Sequence, residues 1–240
     1  MKLDILAIGA HPDDIELSCA GTLAKEISLG KKVGVLDLTR GELGSRGSAE
    51  IRDKEAAEAT KILGLHVREN LGFRDGFFKN DEAHQLEIIK IIRKYKPHIV
   101  ICNAIDDRHI DHGRASKLAS DACFLSGLRR IETTLNEEVQ QAFRPKLVYH
   151  YIQWKDIKPD VVVDITGFNN IKMESIKAYK TQFLQEKSES NEPSTPISNQ
   201  NFYNSIITRA QNLGLLIGVD YAEGFTVERY PAVNSISDLI

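Results

Sequence analysis

The part of the chain that decides the fold is its opening, where Leu3–Gly9 (LDILAIG) runs directly into Ala10–Asp14 (AHPDD). Leu3–Gly9 is short, apolar and ends in glycine, which is typical of a buried β-strand. Across Glu16–Leu29 the apolar residues recur at helical spacing, and Gly30 follows as a stop signal. The opening therefore predicts a strand, a short polar connection and a helix, which together form a first βα unit.

The same alternation of apolar strands and amphipathic helices continues along the chain. A β-branched run marks His98–Cys102 as a strand, and Ser48 is placed to cap a helix that ends at Leu63, just before Gly64. We expect an α/β, Rossmann-like fold of three layers, with a mostly parallel sheet between helices on both faces. The other predicted strands are Lys32–Leu38, Val67–Leu71, Lys146–Ile152 and Val161–Ile165, and the other predicted helices are Leu86–Tyr95, His112–Leu125 and Phe168–Tyr179.

Length and composition favour one globular domain that spans residues 1–240. Of the 240 residues, 42% are hydrophobic and 27% are charged, which excludes a disordered or fibrous protein. The net charge of −3 argues against a duplex-binding protein, so nucleic acid is not an expected partner. The longest apolar runs, such as Ile99–Cys102, are too short to span a bilayer, so no membrane association is expected.

The sequence also indicates a cellular compartment. Asp4 interrupts the apolar opening and His11 ends it, which indicates a strand rather than an export signal. The three cysteines, Cys19, Cys102 and Cys123, are unclustered and lie in apolar segments. Buried free thiols in a reducing cytoplasm are the simplest interpretation, and we expect a cytoplasmic protein.

One segment, Gln185–Asn201, breaks the composition of the chain because it is rich in Ser, Asn, Glu and Pro. A linker between two domains and a mobile loop over an active site both have this composition. The segments that follow, Phe202–Leu213 and Ala222–Val227, are together too small for a second domain. We therefore interpret residues 185–201 as a mobile loop within a single domain.

Two polar clusters follow the first and the fourth predicted strands, in Ala10–Asp14 and in Asn103–His112. In a doubly wound sheet such strands often flank the point where strand order reverses, and ligands bind there at the carboxyl ends. Imidazoles and carboxylates that face each other across this crevice provide the three N/O ligands of a catalytic metal site. The alternative is that Asp13 or Asp14 caps the following helix and that Asp111 caps the helix near His112.

Other catalytic signatures are absent from the sequence. It contains no Gly-x-Ser-x-Gly nucleophile elbow, no Gly-x-x-x-x-Gly-Lys-Ser/Thr phosphate loop and no His-Glu-x-x-His. The glycine-rich Gly41–Gly47 follows the second strand, where its backbone amides would cradle an anion or would form only a flexible loop.

The motifs together resemble those of the LmbE/PIG-L family of zinc-dependent N-deacetylases. His-Pro-Asp-Asp at His11–Asp14, Gly-Glu-x-Gly at Gly41–Gly44 and His-x-x-His at His109–His112 occur in the family's order. Within the family, Asp107–Arg114 and Gly218–Phe225 most resemble the deacetylases of bacillithiol biosynthesis. The resemblance implies that the protein removes the acetyl group from an N-acetylglucosamine derivative, and most specifically from N-acetylglucosaminyl malate.

The resemblance also implies roles for five residues. His11, Asp14 and His112 match the family's zinc ligands. Asp13 matches the general base that activates the attacking water, and His109 matches the imidazolium that polarises the amide and protonates the leaving amine. Two histidines and one carboxylate suit iron(II) as well as zinc, so Zn²⁺ is the expected cofactor and Fe²⁺ the alternative in the cell.

The substrate-binding residues follow from the same resemblance. Arg52, in the helix after Ser48, matches an arginine that contacts substrate. Asp75 matches an aspartate that binds sugar hydroxyls, although Arg74 stands where the family often has proline. Tyr203 lies where related deacetylases bring in a tyrosine to stabilise the oxyanion.

The malyl group adds two carboxylates, for which an arginine is the usual partner. Arg108 is our first candidate to face them. The other basic residues close in sequence to the site are Arg46, Arg52 and Arg209, and the alternative is that these arginines pair with Asp53, Asp106, Asp107 or Glu223.

Two other functions stay open at this point. The first is a deacetylase for another amidosugar, such as a chitin-derived sugar or a conjugate. The second is a non-catalytic, Rossmann-like binding module, which would need neither Asp13 nor a metal. The family resemblance further implies a homo-oligomer, by analogy a hexamer.

Overall fold

The computed structural model describes residues 1–183 and 195–239, and these form an α/β fold with helices on both faces of a central sheet. Most of the predicted mobile loop lies outside the described residues; of its last part, Thr195–Asn199 form a turn and Gln200 begins a helix. The strands are β1 (Ile5–Gly9), β2 (Val33–Thr39), β3 (Val67–Phe73), β4 (Ile99–Cys102), β5 (Thr134–Leu135), β6 (Glu138–Val139), β7 (Leu147–Tyr151), β8 (Val161–Asp164) and β9 (Ala222–Val227). The helices are α1 (Asp14–Ser18), α2 (Ala20–Ser28), α3 (Ala49–Leu63), α4 (Glu82–Tyr95), α5 (Ile110–Leu125), α6 (Asn169–Lys177) and α7 (Gln200–Ile217), and a 3₁₀ turn covers Ile236–Leu239.

Among the described residues, seven strands form one sheet in the order β3-β2-β1-β4-β7-β9-β8. β1 pairs in parallel with β2 on one side and with β4 on the other, so the strand order reverses between β1 and β4. β9 is antiparallel to both of its neighbours, β7 and β8. The predicted fold class and the position of the switch point are thereby confirmed.

The sheet is covered on both faces, which explains why its central strands are apolar throughout. Leu6 and Ile8 of β1 pack on one face with Ile88 of α4 and Leu118 of α5. The alternate residues Ile5 and Ala7 face the opposite side of the sheet, where α1 and α2 pack. Side chains of a strand alternate between faces, so each face of β1 contributes to its own core.

The structure departs from the predicted elements at four places. The first helix is divided at Cys19, whose φ of −137° and ψ of 12° are not helical. The short β5–β6 hairpin was not predicted, because its turn residues Asn136 and Glu137 take positive φ without a glycine. The strand β9 forms from Ala222–Val227 and the helix α7 contains Phe202–Leu213, and neither segment carried an assignment.

The predicted state of the three cysteines is confirmed, since Cys19, Cys102 and Cys123 are all buried free thiols. Among the described residues, no helix combines the length and the apolar composition that crossing a bilayer would need.

Candidate active site

A pocket of about 390 Å³ opens at the carboxyl ends of β1 and β4. Because these parallel strands are neighbours, the segments that leave them meet at the same edge of the sheet. Asn103, directly after β4, joins the two segments by accepting the backbone N–H of Ala10 at 2.9 Å. His11 and Asp14 from the first segment and His109 and His112 from the second all line the pocket.

Asp14 lies at the centre of this arrangement and is buried. Its Oδ2 accepts the His11 backbone N–H at 3.0 Å and the Asn103 amide at 3.0 Å. Its Oδ1 accepts the Gln153 amide at 2.8 Å and lies 3.1 Å from His112 Nε2. Burial alone would raise the pKa of Asp14, but the charge of His112 and hydrogen bonds from His11 and His112 hold it well below its ordinary value.

His11 and His112 each present one ring nitrogen towards Asp14 and the other towards a different carboxylate. His11 Nδ1 lies 3.6 Å from Asp14, while its Nε2 lies 3.0 Å from Asp75. His112 Nε2 lies near Asp14, while its Nδ1 lies 2.7 Å from Asp107. A metal-binding histidine has this arrangement, because a carboxylate on one nitrogen fixes the tautomer that leaves the other free to bind.

The donor set of the pocket fits a divalent metal. Nitrogens of His11, His109 and His112 lie within 4.8 Å of one another, and His11, Asp75 and Asp111 form a second such group. Asp14, the predicted carboxylate ligand, belongs to neither group, but its oxygens lie 3.6 Å from His11 Nδ1 and 3.1 Å from His112 Nε2. Imidazole and carboxylate donors suit both zinc and iron(II).

The alternative that these aspartates are helix caps is not supported. Asp13 occupies the residue before α1, yet its side chain makes no capping hydrogen bond. Asp111 lies inside the first turn of α5, where His109 is the cap and its Nδ1 accepts the Asp111 N–H at 3.3 Å. The carboxylates of Asp13, Asp14 and Asp111 are instead directed to side chains of the pocket.

Asp13 has an unusual backbone and an unusual pKa. Its φ of 112° lies in the left-handed region, which disfavours residues other than glycine, and strained residues of this kind cluster at functional sites. Burial raises its pKa to about 7, although the charge of Arg52 opposes the rise. Arg52 Nη2 lies 3.0 Å from Asp13 Oδ2. A buried carboxylate with a pKa near neutrality has the basicity that a general base needs.

Arg52 reaches Asp13 through a gap that Gly41 leaves. Gly41 has a φ of +64°, and a Cβ on it would lie 2.6 Å from Arg52 Nη1. Arg52 also donates to the backbone carbonyl of Pro12, so its guanidinium holds the Pro12–Asp13 turn. The glycine-rich segment Gly41–Gly47 therefore leaves space for the Arg52 side chain beside Asp13. One of its amides does bind a carboxylate, since the Leu43 N–H donates to Asp75 at 3.1 Å.

The remaining predicted site residues differ in their positions. His109 is partly exposed in the pocket, and burial together with the charges of His11 and His112 lowers its pKa below 6.5. Asp75 lines the pocket with both carboxylate oxygens already bonded, one to His11 and one to Leu43. Tyr203 is not brought to the pocket, because it packs against the apolar cluster of α6 and α7.

Arg108 lines the pocket and stacks on an aromatic ring. Its Cζ lies 4.6 Å from the centre of the Trp154 ring, and Arg209 Nη2 donates to the Trp154 carbonyl at 3.1 Å. Neither arginine forms an ion pair within the described residues. The four carboxylates considered as their partners are bound elsewhere, with Asp53 on Arg40, Asp106 on Lys155, Asp107 on His112 and Glu223 on Lys172.

Several residues of the site were not predicted. Asn103 and Gln153 bind Asp14, Asp107 binds His112, and Trp154 supports Arg108. Their position in the segments that follow β4 and β7 is the signal that sequence offers, because side chains that follow neighbouring parallel strands meet at one edge of the sheet.

Comparison with known proteins places the chain in a family. Residues 6–123 match the family model described as "PIG-L: GlcNAc-PI de-N-acetylase". A crystal structure of the conserved protein TT1542 from Thermus thermophilus is 35% identical, with a TM-score of 0.85, over 96% of this chain and 97% of that chain. The chain belongs to the PIG-L family of deacetylases.

Two curated relatives differ in their named substrates. The diacetylchitobiose deacetylase of Thermococcus kodakarensis is 26% identical over 92% of this chain and 81% of its own length. The probable N-acetyl-alpha-D-glucosaminyl L-malate deacetylase 2 of Bacillus subtilis is 28% identical over 80% of this chain and 92% of its own length. These identities are similar, so family membership alone does not select a substrate.

Proposed function

We propose that the protein is a metal-dependent hydrolase that removes the N-acetyl group from an N-acetylglucosamine derivative. The observation that carries the proposal is the pairing of His11 and His112 around Asp14, with a separate carboxylate on the far nitrogen of each ring. His11, Asp14 and His112 would hold Zn²⁺, or Fe²⁺ in the cell. A bound metal of this kind acts as a Lewis acid and lowers the pKa of a bound water to about 7.

Asp13 would act as the general base. Its carboxylate lines the pocket beside the proposed ligand Asp14, and its pKa of about 7 allows it to accept a proton from the attacking water near neutral pH. Arg52 would keep the carboxylate in place through its 3.0 Å contact. Hydrolysis breaks the amide C–N bond, so acetate and the free amine of the sugar are the products.

His109 would bind the amide oxygen. Because its Nδ1 accepts the Asp111 N–H, the neutral ring carries its proton on Nε2 and donates from there. The lowered pKa of His109 favours this neutral form in the free protein. We therefore assign His109 first to stabilising the oxyanion. Its second proposed role, protonation of the leaving amine, requires that bound substrate raise its pKa.

N-acetylglucosaminyl malate is the proposed substrate. Its malyl carboxylates need cationic partners, and Arg108 lines the pocket without an ion pair within the described residues. The acids that would have neutralised it are bound elsewhere, Asp107 to His112 and Asp106 to Lys155. Each carboxylate oxygen of Asp75 has one partner, His11 or Leu43, and would accept a further hydrogen bond from a sugar hydroxyl.

Diacetylchitobiose is the second candidate substrate, because a relative 26% identical over 92% of this chain is named for it. A binding module without catalysis is the third possibility. The strained backbone and raised pKa of Asp13 argue against that module, since binding alone requires neither.

Acetate release separates these possibilities. Purified protein with a measured metal content would be given N-acetylglucosaminyl malate, diacetylchitobiose and free N-acetylglucosamine at equal concentrations. The proposal expects about one metal ion per chain and the highest kcat/KM for the malyl conjugate. A preference for diacetylchitobiose would replace the substrate but keep the reaction, and binding without acetate release would support the binding module.

A further inference from the structure

His11 is buried and lies between three carboxylates, and its orientation decides which of its nitrogens is free. Its Nε2 lies 3.0 Å from Asp75 Oδ1 and 3.3 Å from Asp111 Oδ2, while its Nδ1 lies on the side of Asp14. Both Asp75 and Asp111 are buried. A carboxylate is an acceptor only, so a proton on Nε2 satisfies this side of the ring.

Asp111 is the more firmly held of the two carboxylates. It is fully buried, its Oδ1 accepts Arg114 Nη1 at 2.6 Å, and its Oδ2 accepts the Gly76 N–H at 2.8 Å. Arg114 also donates to the Gly76 carbonyl at 3.0 Å. Asp111 is thus fixed by α5 and by the turn that carries Asp75, and its position does not depend on His11.

We infer that Asp111 is a positioning residue that, together with Asp75, holds the proton of His11 on Nε2 and so leaves Nδ1 as the metal-binding nitrogen. The same relation holds on the other side of the site, where Asp107 takes Nδ1 of His112 and leaves Nε2 towards Asp14. The inference rests on the proposed metal-dependent function, and it assigns Asp111 and Asp75 to the histidine rather than to a helix cap or to the sugar alone.

The variant Asp111→Asn tests this role. Arg114 is a donor, so the amide oxygen of the introduced asparagine stays next to Arg114. The amide NH₂ of that asparagine then faces the Gly76 N–H and His11 Nε2. Two donors then oppose each other at Nε2, which favours moving the proton of His11 to Nδ1. Loss of such a carboxylate typically lowers metal affinity about 10- to 100-fold. Titration of the metal-free variant with Zn²⁺ and Co²⁺ measures this loss directly.

Asp121→Asn is the matched control, because Asp121 belongs to the same helix and binds Lys117 and Asn80 away from the pocket. Its metal affinity is expected to equal that of the wild type. Asp75→Asn leaves the Asp111–Arg114 pair intact and is expected to lower affinity by about tenfold. It keeps the test available if Asp111→Asn does not fold, as judged by circular dichroism and thermal melting.

The tautomer of His11 gives a readout that does not depend on activity. Nitrogen-15 NMR of the metal-free wild type, at a pH high enough to leave His11 with a single ring proton, is expected to show that proton on Nε2. A proton on Nδ1, or unchanged Zn²⁺ and Co²⁺ affinity in both folded variants, would overturn the inference while leaving the deacetylase proposal intact. A wild type that binds neither metal would refute the metal-dependent function itself, and with it the role of Asp111.

Discussion

Asp14 Oδ1 and His112 Nε2 lie 3.1 Å apart across the point where the strand order of the sheet reverses. Asp14 begins α1 directly after β1, and His112 lies in the first turn of α5 after β4. The contact exists only because β1 and β4 are parallel neighbours that end at the same edge. The proposed metal site depends on this contact between two chain segments that are distant in sequence.

The first prediction concerns the metal. His112→Ala removes one of three proposed ligands, so we expect the metal content to fall from about one ion per chain to near zero and activity to be lost with it. Elemental analysis of purified protein measures the content. His98→Ala is the control, since His98 contacts Lys2 far from the pocket. Full metal occupancy in His112→Ala would show that the ligand set is wrong.

The second prediction separates catalysis from metal binding. Asp13→Asn removes the proposed base but leaves Asp14 in place, so metal content is expected to stay near one ion per chain. Turnover is expected to fall about 10²- to 10⁴-fold, the usual contribution of general-base catalysis. Steady-state kinetics and elemental analysis on the same preparation provide both numbers. If the variant loses its metal, the roles of Asp13 and Asp14 have been exchanged.

The third prediction concerns substrate choice. Arg108→Ala is expected to lower kcat/KM for N-acetylglucosaminyl malate roughly 30-fold, or about 2 kcal/mol, with little change for free N-acetylglucosamine. Arg144→Ala is the matched control, because Arg144 stacks 4.1 Å from the centre of the Phe124 ring outside the pocket. An equal loss on both substrates would mean that Arg108 supports the metal site instead of the malyl group.

The fourth prediction concerns stability and pH. Burial would lower the pKa of His150, but Cys102, Glu228 and the Asn103 carbonyl raise it to about 10. A raised pKa stabilises the fold below the unfolded value near 6.5, and the stabilisation is lost as pH rises through 10. Glu228→Gln should therefore lower the free energy of unfolding by on the order of 1 kcal/mol at pH 6, with a smaller loss at higher pH.

Urea unfolding of wild type and Glu228→Gln at several pH values between 6 and 9 measures this difference. Glu174→Gln is the control, because Glu174 pairs with Lys177, which stays charged over that range. A Glu228→Gln effect that grows with pH would contradict the assignment of a charged His150.

Much of the architecture could be predicted because it rests on local signals. The apolar run of β1, the cap at Ser48 and the stop at Gly64 mark elements that the structure contains. The pairing partners of β9 could not be predicted, because insertion of an antiparallel strand between β7 and β8 leaves no mark in its own sequence. The break at Cys19 was also missed, since helical spacing continues across it.

In the candidate site, too, some features could be predicted from local sequence and others depend on tertiary contacts. Convergence of the polar segments after β1 and β4 could be predicted, because segments that follow neighbouring parallel strands meet at one edge of the sheet. The choice of His11, Asp14 and His112 as ligands came from the family resemblance and stays a prediction. The sequence does not distinguish a capping role for Asp111 from support of a histidine, because an acid at the start of α5 gives the same signal in both cases. Tyr203 was selected by position in the family pattern alone, and its packing against the α6–α7 cluster depends on tertiary contacts that local sequence does not encode.

The measurement that tests the central claim most directly is acetate release before and after metal removal. Protein would be assayed with N-acetylglucosaminyl malate and diacetylchitobiose, then stripped with a chelator, and then reloaded with Zn²⁺. We predict that acetate release from at least one of these substrates stops on chelation and returns with about one Zn²⁺ per chain. Acetate release that persists in metal-free protein, or none from either substrate in fully loaded protein, would contradict the account.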